Sequence, residues 1–407
     1  MTRNGRRRRV AVVGCGMFGA AVARHAAQRA DVVLIGPERP SETAFGAHYD
    51  EGRIVAQLNF DPVWIELVRA SLAGMRELDA ELVRVCGSVL AIPEAEAPPV
   101  VEAAAALRAW LELDVRELPV AERRARFPEL AFEESETVLF EPSGCHFSPR
   151  RYVALATAAA ASAGASLVRR VACRVDVAAD GVEVELDDGS CVRADAAVVA
   201  AGAFTIDPNL LPVAPALRAK SETYLLAEVD DELLSAGLPC VARAVDDPEL
   251  GEVYALPPIT YPDGRARIKI GANTLDDCWL ETPEDVVQWY RGGETANQAA
   301  VLRRAFADLF PDVRVRSWSV GRCADGYTTH ERPYVDVLEP ERLVVVTGGN
   351  GRGAQVADGL GALAAELVVE GEWTSELPRE HFEFVPAADP WQGTQLLADR
   401  KAWIAAA

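Results

Sequence analysis

The turn Gly14-Cys15-Gly16-Met17-Phe18-Gly19 constrains the fold most, because of what flanks it. Val10-Ala11-Val12-Val13 is a short all-apolar run, the pattern of a parallel strand buried on both faces. Gly19 to Arg29 is Ala-rich and free of Pro, and predicts a helix; Asp31 to Ile35 predicts a second strand. Strand, G-x-G-x-x-G turn, helix and strand within about 30 residues form a dinucleotide-binding unit. The first glycine makes the tight turn, the second admits a pyrophosphate to the backbone, and the third lets helix pack on strand. The phosphates then sit on the helix N-terminus, where free N–H groups and the dipole favour negative charge. The motif does not choose NAD from FAD. The acidic residue that holds the ribose about 20 residues on is replaced by Gly36, with Glu38 the nearest substitute.

The length of 407 residues suits two domains, and a 50% hydrophobic composition suits sizeable cores. No apolar run approaches the roughly 20 residues that span a bilayer, and the basic arm Arg6 to Arg9 reads as a solvated leader to the first strand. A net charge of -21 argues against nucleic acid, whose phosphates need a basic surface. The eight cysteines contain no C-x-x-C pair, so they suggest neither zinc nor a disulfide framework, and read as thiols of a reducing cytoplasm.

Beyond the first unit, Phe45 to Ile54 is a polar, Gly-containing loop carrying His48 and Arg53, of the kind that serves a cofactor. A helix is expected near Pro62 to Val85, a strand at Val89 to Ile92 and a helix at Glu102 to Leu113. Another helix, Arg150 to Ala163, is expected to stop at Gly164. Leu167 to Val177 and Val182 to Leu186 predict a meander with one wet face, turning at Asp180-Gly181 and Asp188-Gly189. Ala196 to Gly202 returns to a buried strand. Strands near 222–228, 252–257 and 265–271 precede helices at 283–290 and 297–310. Then Leu343 to Thr347 runs into Gly348-Gly349-Asn350-Gly351-Arg352-Gly353 and a helix from Ala354 to Glu370. Two strand–glycine–helix units far apart imply a discontinuous nucleotide domain of α/β class, with a substrate domain on an antiparallel or mixed sheet inserted twice. The expected segments are 8–88, 148–216 and 321–373 for the nucleotide domain, 89–147 and 217–320 for the insert, and a C-terminal tail, 374–407.

The Gly motif, His48 to Ile54, Ser143 to Pro149, Ala200 to Ala203 and Gly321 to Gly359 together resemble the glycine oxidase and D-amino acid oxidase group of FAD enzymes, and within it the monomeric sarcosine oxidase branch. The most specific piece is Cys323, with Asp336 thirteen residues later and then the Gly349-x-Gly351-x-Gly353 loop. The resemblance implies a Rossmann-type FAD domain and a thioether from Cys323 to the flavin 8-methyl carbon, with adjacent Arg322 expected to lower the thiol pKa. It implies that Lys269 assists oxygen reduction, that His48 and Arg53 lie near the isoalloxazine ring, and that Tyr254 faces the substrate. It places Gly14, Gly16, Met17, Phe18, Gly19, Ala201, Gly202 and a backbone group of Ala172 around the cofactor. Gly349, Asn350, Gly351, Arg352, Gly353 and Gln355 would aim their helix N-terminus at the flavin pyrimidine, stabilising the anionic reduced ring.

Three positions depart from that branch. Ala56 and Gln355 stand where the family grips a substrate carboxylate with an arginine and a lysine, and Asn273 replaces a histidine. The resulting expectation is an FAD-dependent amine oxidase that yields an imine and peroxide from an amine and molecular oxygen. Sarcosine is not the expected substrate, and the chain is expected to be a monomer or small homo-oligomer. A dehydrogenase with another electron acceptor, a non-catalytic flavin-binding subunit and an NAD-linked oxidoreductase are the alternatives.

Overall fold

The computed structural model describes residues 7–40, 43–58, 61–388 and 390–400. Arg6 of the basic arm and residues 401–407 of the tail lie outside them. A six-stranded sheet runs in the order Tyr334–Glu339, Leu343–Thr347, Ala196–Val199, Arg9–Val13, Asp31–Ile35, Ser166–Val168, all parallel except the first. Its strands are apolar throughout because both faces are covered. Val10, Val12, Val32, Leu34, Val198 and Val344 pack on the helices Met17–Ala26, Pro62–Leu78, Pro149–Ser162 and Gly353–Glu370. The alternate residues Ala11, Val13, Val33, Ile35, Ala197 and Val199 pack on Val175, Val182, Val184 and Leu186 of the meander Ala172–Ala178, Gly181–Leu186, Cys191–Ala194.

The second large sheet is mixed and has nine strands. Ser317–Thr328 and Leu217–Glu228 pair along their whole length. Ala266–Thr274, Leu250–Thr260, Cys240–Ala244, Ser88–Pro93 and Glu136–Glu141 continue it. Leu225, Ala227, Ile268 and Ile270 face a core closed by helix Ala296–Leu309. The opposite face looks toward the glycine loops. Between the two large sheets sits a small antiparallel one, Arg53–Val55, Cys145–Phe147 and Val83–Val85. No described helix is long and apolar enough to cross a membrane.

The structure corrects several boundaries. The change of domain expected at 320/321 falls inside Ser317–Thr328, so Cys323 belongs to the nine-stranded sheet and the chain returns to the six-stranded one only at Tyr334. The strand expected from Leu167 to Val177 is two, Ser166–Val168 on the edge of the large sheet and Ala172–Ala178 in the meander. The helix expected from Glu102 begins at Ala97, because Pro98 and Pro99 occupy a first turn whose N–H groups have no intrahelical partner. Helix Pro149–Ser162 ends with Gly164 just beyond it at φ 104°, as expected. The tail is tied down: Ala216 N donates to Val385 O at 2.7 Å, and Phe382 is fully buried.

Candidate active site

A cavity of about 1370 Å³ runs from the Gly14–Gly19 loop, past the second glycine loop, to the open face of the nine-stranded sheet. At its first end the wall is backbone. Gly14, at φ 108°, donates its N–H to Ile35 O at 2.8 Å, and a Cβ there would lie 2.3 Å from Ala200 O. A Cβ on Gly19 would lie 1.8 Å from Gly14 O, so helix and turn approach too closely for any side chain. Gly16 has open space instead, its nearest neighbour being His48 Nδ1 at 3.8 Å. These are three different demands for glycine, and together with the bare N-terminus at Met17 they fit a dinucleotide pyrophosphate. Met17, Phe18, Ala172, Ala201 and Gly202 line the same end.

Glu38 does not join them. Its side chain is exposed and off the cavity wall, and its carbonyl accepts from Tyr49 Oη at 3.3 Å. Gly36 cannot be an acid here, since a Cβ would lie 2.5 Å from Cys15 Cβ. Cys15 thus fills the space next to Gly36 and excludes a carboxylate there.

At the second glycine loop, Asn350 takes a left-handed φ of 50°, and its side chain accepts from Thr328 N at 2.9 Å and donates to Gly348 O at 2.7 Å. It holds the loop in shape. Gly349 must stay bare because a Cβ would meet Gly353 Cα at 2.6 Å, and Gly351 stands at φ 73°. Gly353 opens the helix, Arg352 is exposed at the rim, and Gln355 Oε1 accepts from Ala56 N at 3.4 Å. The two positions from which the resemblance withdraws a cation therefore meet each other, and both are neutral.

At the far end the wall is side chain. Lys269, with neighbours Ile268 and Ile270 in the core behind it, is 3% exposed and donates to Asp50 Oδ2 at 2.7 Å. Its ammonium lies 4.2 Å from the Tyr224 ring centroid and 5.6 Å from that of Tyr254. Bare strand positions make room for these rings: a Cβ on Gly321 would strike Tyr224, and one on Gly271 would strike Tyr254. Arg53 also donates to Asp50, and Tyr261 Oη reaches it at 3.2 Å. Burial works to raise the Asp50 pKa, but Lys269 and Arg53 outweigh it, and the carboxylate is held well below its usual range. Burial, then the Arg53 charge, lowers Lys269, which Asp50 partly offsets. Two cations sharing one carboxylate leave a positive charge in a dry site. His48 is pulled down to about 4 by burial and then by Arg53 and Arg150, and is neutral at ordinary pH.

Strand alternation brings Lys220, Glu222 and Tyr224 to one face, opposite Cys323, Asp325 and Tyr327 of the paired strand. Tyr254 Oη donates to Glu222 Oε1 at 2.7 Å, and Lys220 donates to Asp277 Oδ2 at 3.1 Å and also to Asn273. Cys323 is buried, its thiol donating to Asp325 Oδ1 at 3.3 Å. Burial, then Asp325, raises its pKa well above the usual value. The role expected of Arg322 fails for the same reason of alternation. Its guanidinium points to the other face and donates to Gly293 O at 2.8 and 3.0 Å, while Arg53 supplies the opposing positive charge. Asp336 also lies elsewhere, holding Phe384 N at 3.0 Å and Arg379 at 2.8 Å. Asp50, Lys220, Glu222, Tyr224 and Asp325 escaped the sequence reading. For Lys220, Glu222 and Tyr224 the one signal was their i, i+2 spacing along Leu217–Glu228; Asp50 lies in a loop and had none. Among the described residues no cluster of His, Cys, Asp or Glu could hold a metal ion.

A dinucleotide loop and a buried cation cluster thus share one cavity, the arrangement of a nucleotide-dependent enzyme. The chain belongs to the DAO family of FAD dependent oxidoreductases, whose model matches residues 9–367. No curated protein sequence matches it significantly. Among solved structures it is similar to NikD, an unusual amino acid oxidase essential for nikkomycin biosynthesis, with 19% identity over 92% of this chain and 97% of that one and a TM-score of 0.78. It is similar to iminodiacetate oxidase from a Chelativorans species, with 22% identity, 92% and 98% coverage and a TM-score of 0.71. Glycine oxidase from Geobacillus kaustophilus gives 20% identity, 93% and 99% coverage and a TM-score of 0.71. The shared property is the fold: a Rossmann-type FAD domain with a second, sheet-based domain.

Proposed function

We propose that this chain is an oxidase of amines with FAD attached through Cys323, and that its substrate is not sarcosine or another small N-methyl amino acid. The observation that carries the reading is that Lys269, Arg53, Tyr254 and Cys323 converge on one cavity that begins at the Gly14–Gly19 loop. When bound, FAD supplies hydride acceptance from a carbon beside an amine and the return of two electrons to oxygen. Gly14, Gly16, Gly351 and Gly353 would hold it by backbone. The Lys269–Asp50–Arg53 cluster lends net positive charge where oxygen becomes negative, and because it is already oriented in a dry site no reorganisation is needed. The neutral His48 adds no second charge beside Gly16. The folds of glycine oxidase, iminodiacetate oxidase and NikD favour an amine donor. The free cysteines suit a reducing cytoplasm.

The substrate end supports an amine whose reacting carbon carries no free carboxylate. Ala56 and Gln355 offer no charge, Lys220 is already bound to Asp277 and Asn273, and Glu222 would meet a carboxylate with like charge, which leaves Arg352 of the second glycine loop as the candidate cation for a carboxylate set elsewhere on the substrate. Anaerobic mixing of the protein with a panel of amines and amino acids tests this, with the visible flavin band as readout. Bleaching by bulky or carboxylate-free amines, and oxygen uptake on aeration, is the expected result. Rapid bleaching by millimolar sarcosine would overturn the substrate assignment, and bleaching without oxygen uptake would make the protein a dehydrogenase.

A further inference from the structure

Cys323 and Asp325 stand two apart on Ser317–Thr328 and so share its cavity face, with Sγ 3.3 Å from Oδ1. The backbone between them is fixed. Trp289 Nε1 donates to Cys323 O at 2.7 Å, and Ala324 N donates to Tyr290 Oη at 3.1 Å. In strand register Glu222 lies opposite Cys323, and Lys220 opposite Asp325. Glu222 is held by Tyr254 Oη, and it bonds the Asp325 carboxyl from the neighbouring strand. A thiol in such a place is a poor nucleophile until its proton leaves, since the thiolate is the attacking form. Among the described residues Asp325 is the carboxyl that this thiol bonds, whereas Arg322, the adjacent charge, is turned away.

We propose that Asp325 is the proton acceptor for attachment of the flavin to Cys323, a step that rests on the covalent reading above. The Cys323 S–H bond breaks and its proton passes to Asp325 Oδ1, while Sγ bonds to the flavin 8-methyl carbon. That carbon gives up one proton, the electron pair released in forming the thioether reduces the flavin, and molecular oxygen takes the two electrons and two protons away as hydrogen peroxide. Arg53 and Lys269 stabilise the thiolate, and Glu222 keeps the Asp325 carboxyl oriented. Burial and the neighbouring Glu222 raise the Asp325 carboxyl to about 7, which matches a base that must take a proton near neutral pH.

The test is a time course of intact mass under denaturing conditions, begun when FAD is added in air to protein produced in a riboflavin-depleted host. Noncovalent binding is followed separately by quenching of flavin fluorescence. Wild type is expected to gain the mass of FAD less two hydrogens. Asp325→Asn, whose amide still bonds Glu222, is expected to bind FAD but to form the adduct about 100-fold more slowly, the scale of losing one general base. If wild type forms no adduct, the covalent reading itself falls. If wild type forms it and Asp325→Asn keeps pace, only the role of Asp325 falls. Should the Asn variant fail to hold FAD, Asp325→Ala with and without added formate decides the matter. Rescue by formate supports the assignment, and adduct formation at the wild-type rate without formate, or no rescue with it, overturns it.

Discussion

At the Gly14–Gly19 end of the cavity the wall is backbone and tolerates no added methyl at Gly14 or Gly19, whereas at the nine-stranded sheet it is made of side chains from strands remote in sequence. The first end holds what every member of the family binds, and its chemistry is that of N–H groups and a helix terminus. The second end is where, on the proposed reading, the substrate meets the protein. Its charges are buried and held by contacts between side chains, Lys269 and Arg53 on Asp50 and Lys220 on Asp277.

The sharpest way to break this comparison is to add a methyl at the backbone end. Gly19→Ala would push a Cβ into Gly14 O, and overpacking of rigid backbone should cost about 3 kcal/mol or more. The variant is expected to be colourless or insoluble, and a yellow, stable Gly19→Ala protein would contradict the account of that loop.

Arg53 at the side-chain end belongs to a small sheet that also carries His146. Burial, then Arg84, pulls His146 down to about 4. Between that value and about 6.5 the unfolded chain binds a proton there that the folded chain does not, so stability falls as pH falls through that window. The loss should reach about 3 kcal/mol near pH 4. Urea unfolding at pH 7 and pH 5 measures it, and His146→Asn should lessen the pH slope, to which His48, pulled down as far, also contributes; an unchanged slope would remove His146 from the explanation.

Lys269→Met should slow flavin reoxidation by about two orders of magnitude, the scale of one preorganised charge, while anaerobic reduction by substrate falls less. Collapse of reduction with normal reoxidation would reverse the assignment. The smallest change is expected from Ala56→Arg, which returns a cation to the substrate end. Sarcosine should then bleach the flavin about tenfold faster than in wild type, in keeping with one charge-assisted hydrogen bond. No gain would mean that the missing arginine does not set specificity.

The two ends also differed in how far the sequence disclosed them. Gly14, Gly16 and Gly19 could be read because strand, turn and helix are local, and backbone geometry admits glycine alone at two of those places. Lys269 and Cys323 were found through resemblance, not through pattern. A lysine between two isoleucines ordinarily faces water, and only the pairing with Asp50, 219 residues away, explains why this one is buried. Asp50, Glu222 and Asp325 stayed hidden because their meaning lies in contacts across strands that composition does not encode. Arg322 misled for the opposite reason: adjacency in sequence is opposition across a strand. Glu38 stands off the cavity wall, and Cys15 takes the space beside Gly36.

On the proposed reading the two ends meet at Cys323, where the family cofactor would be bound to a strand of the nine-stranded sheet. Intact mass of the purified protein under denaturing conditions, wild type beside Cys323→Ala, tests it most directly. The account expects wild type to carry the mass of FAD less two hydrogens and to leave a yellow acid precipitate, and expects Cys323→Ala to carry the bare chain mass and release its colour. A wild-type mass equal to the bare chain, with the colour in the supernatant, would contradict it.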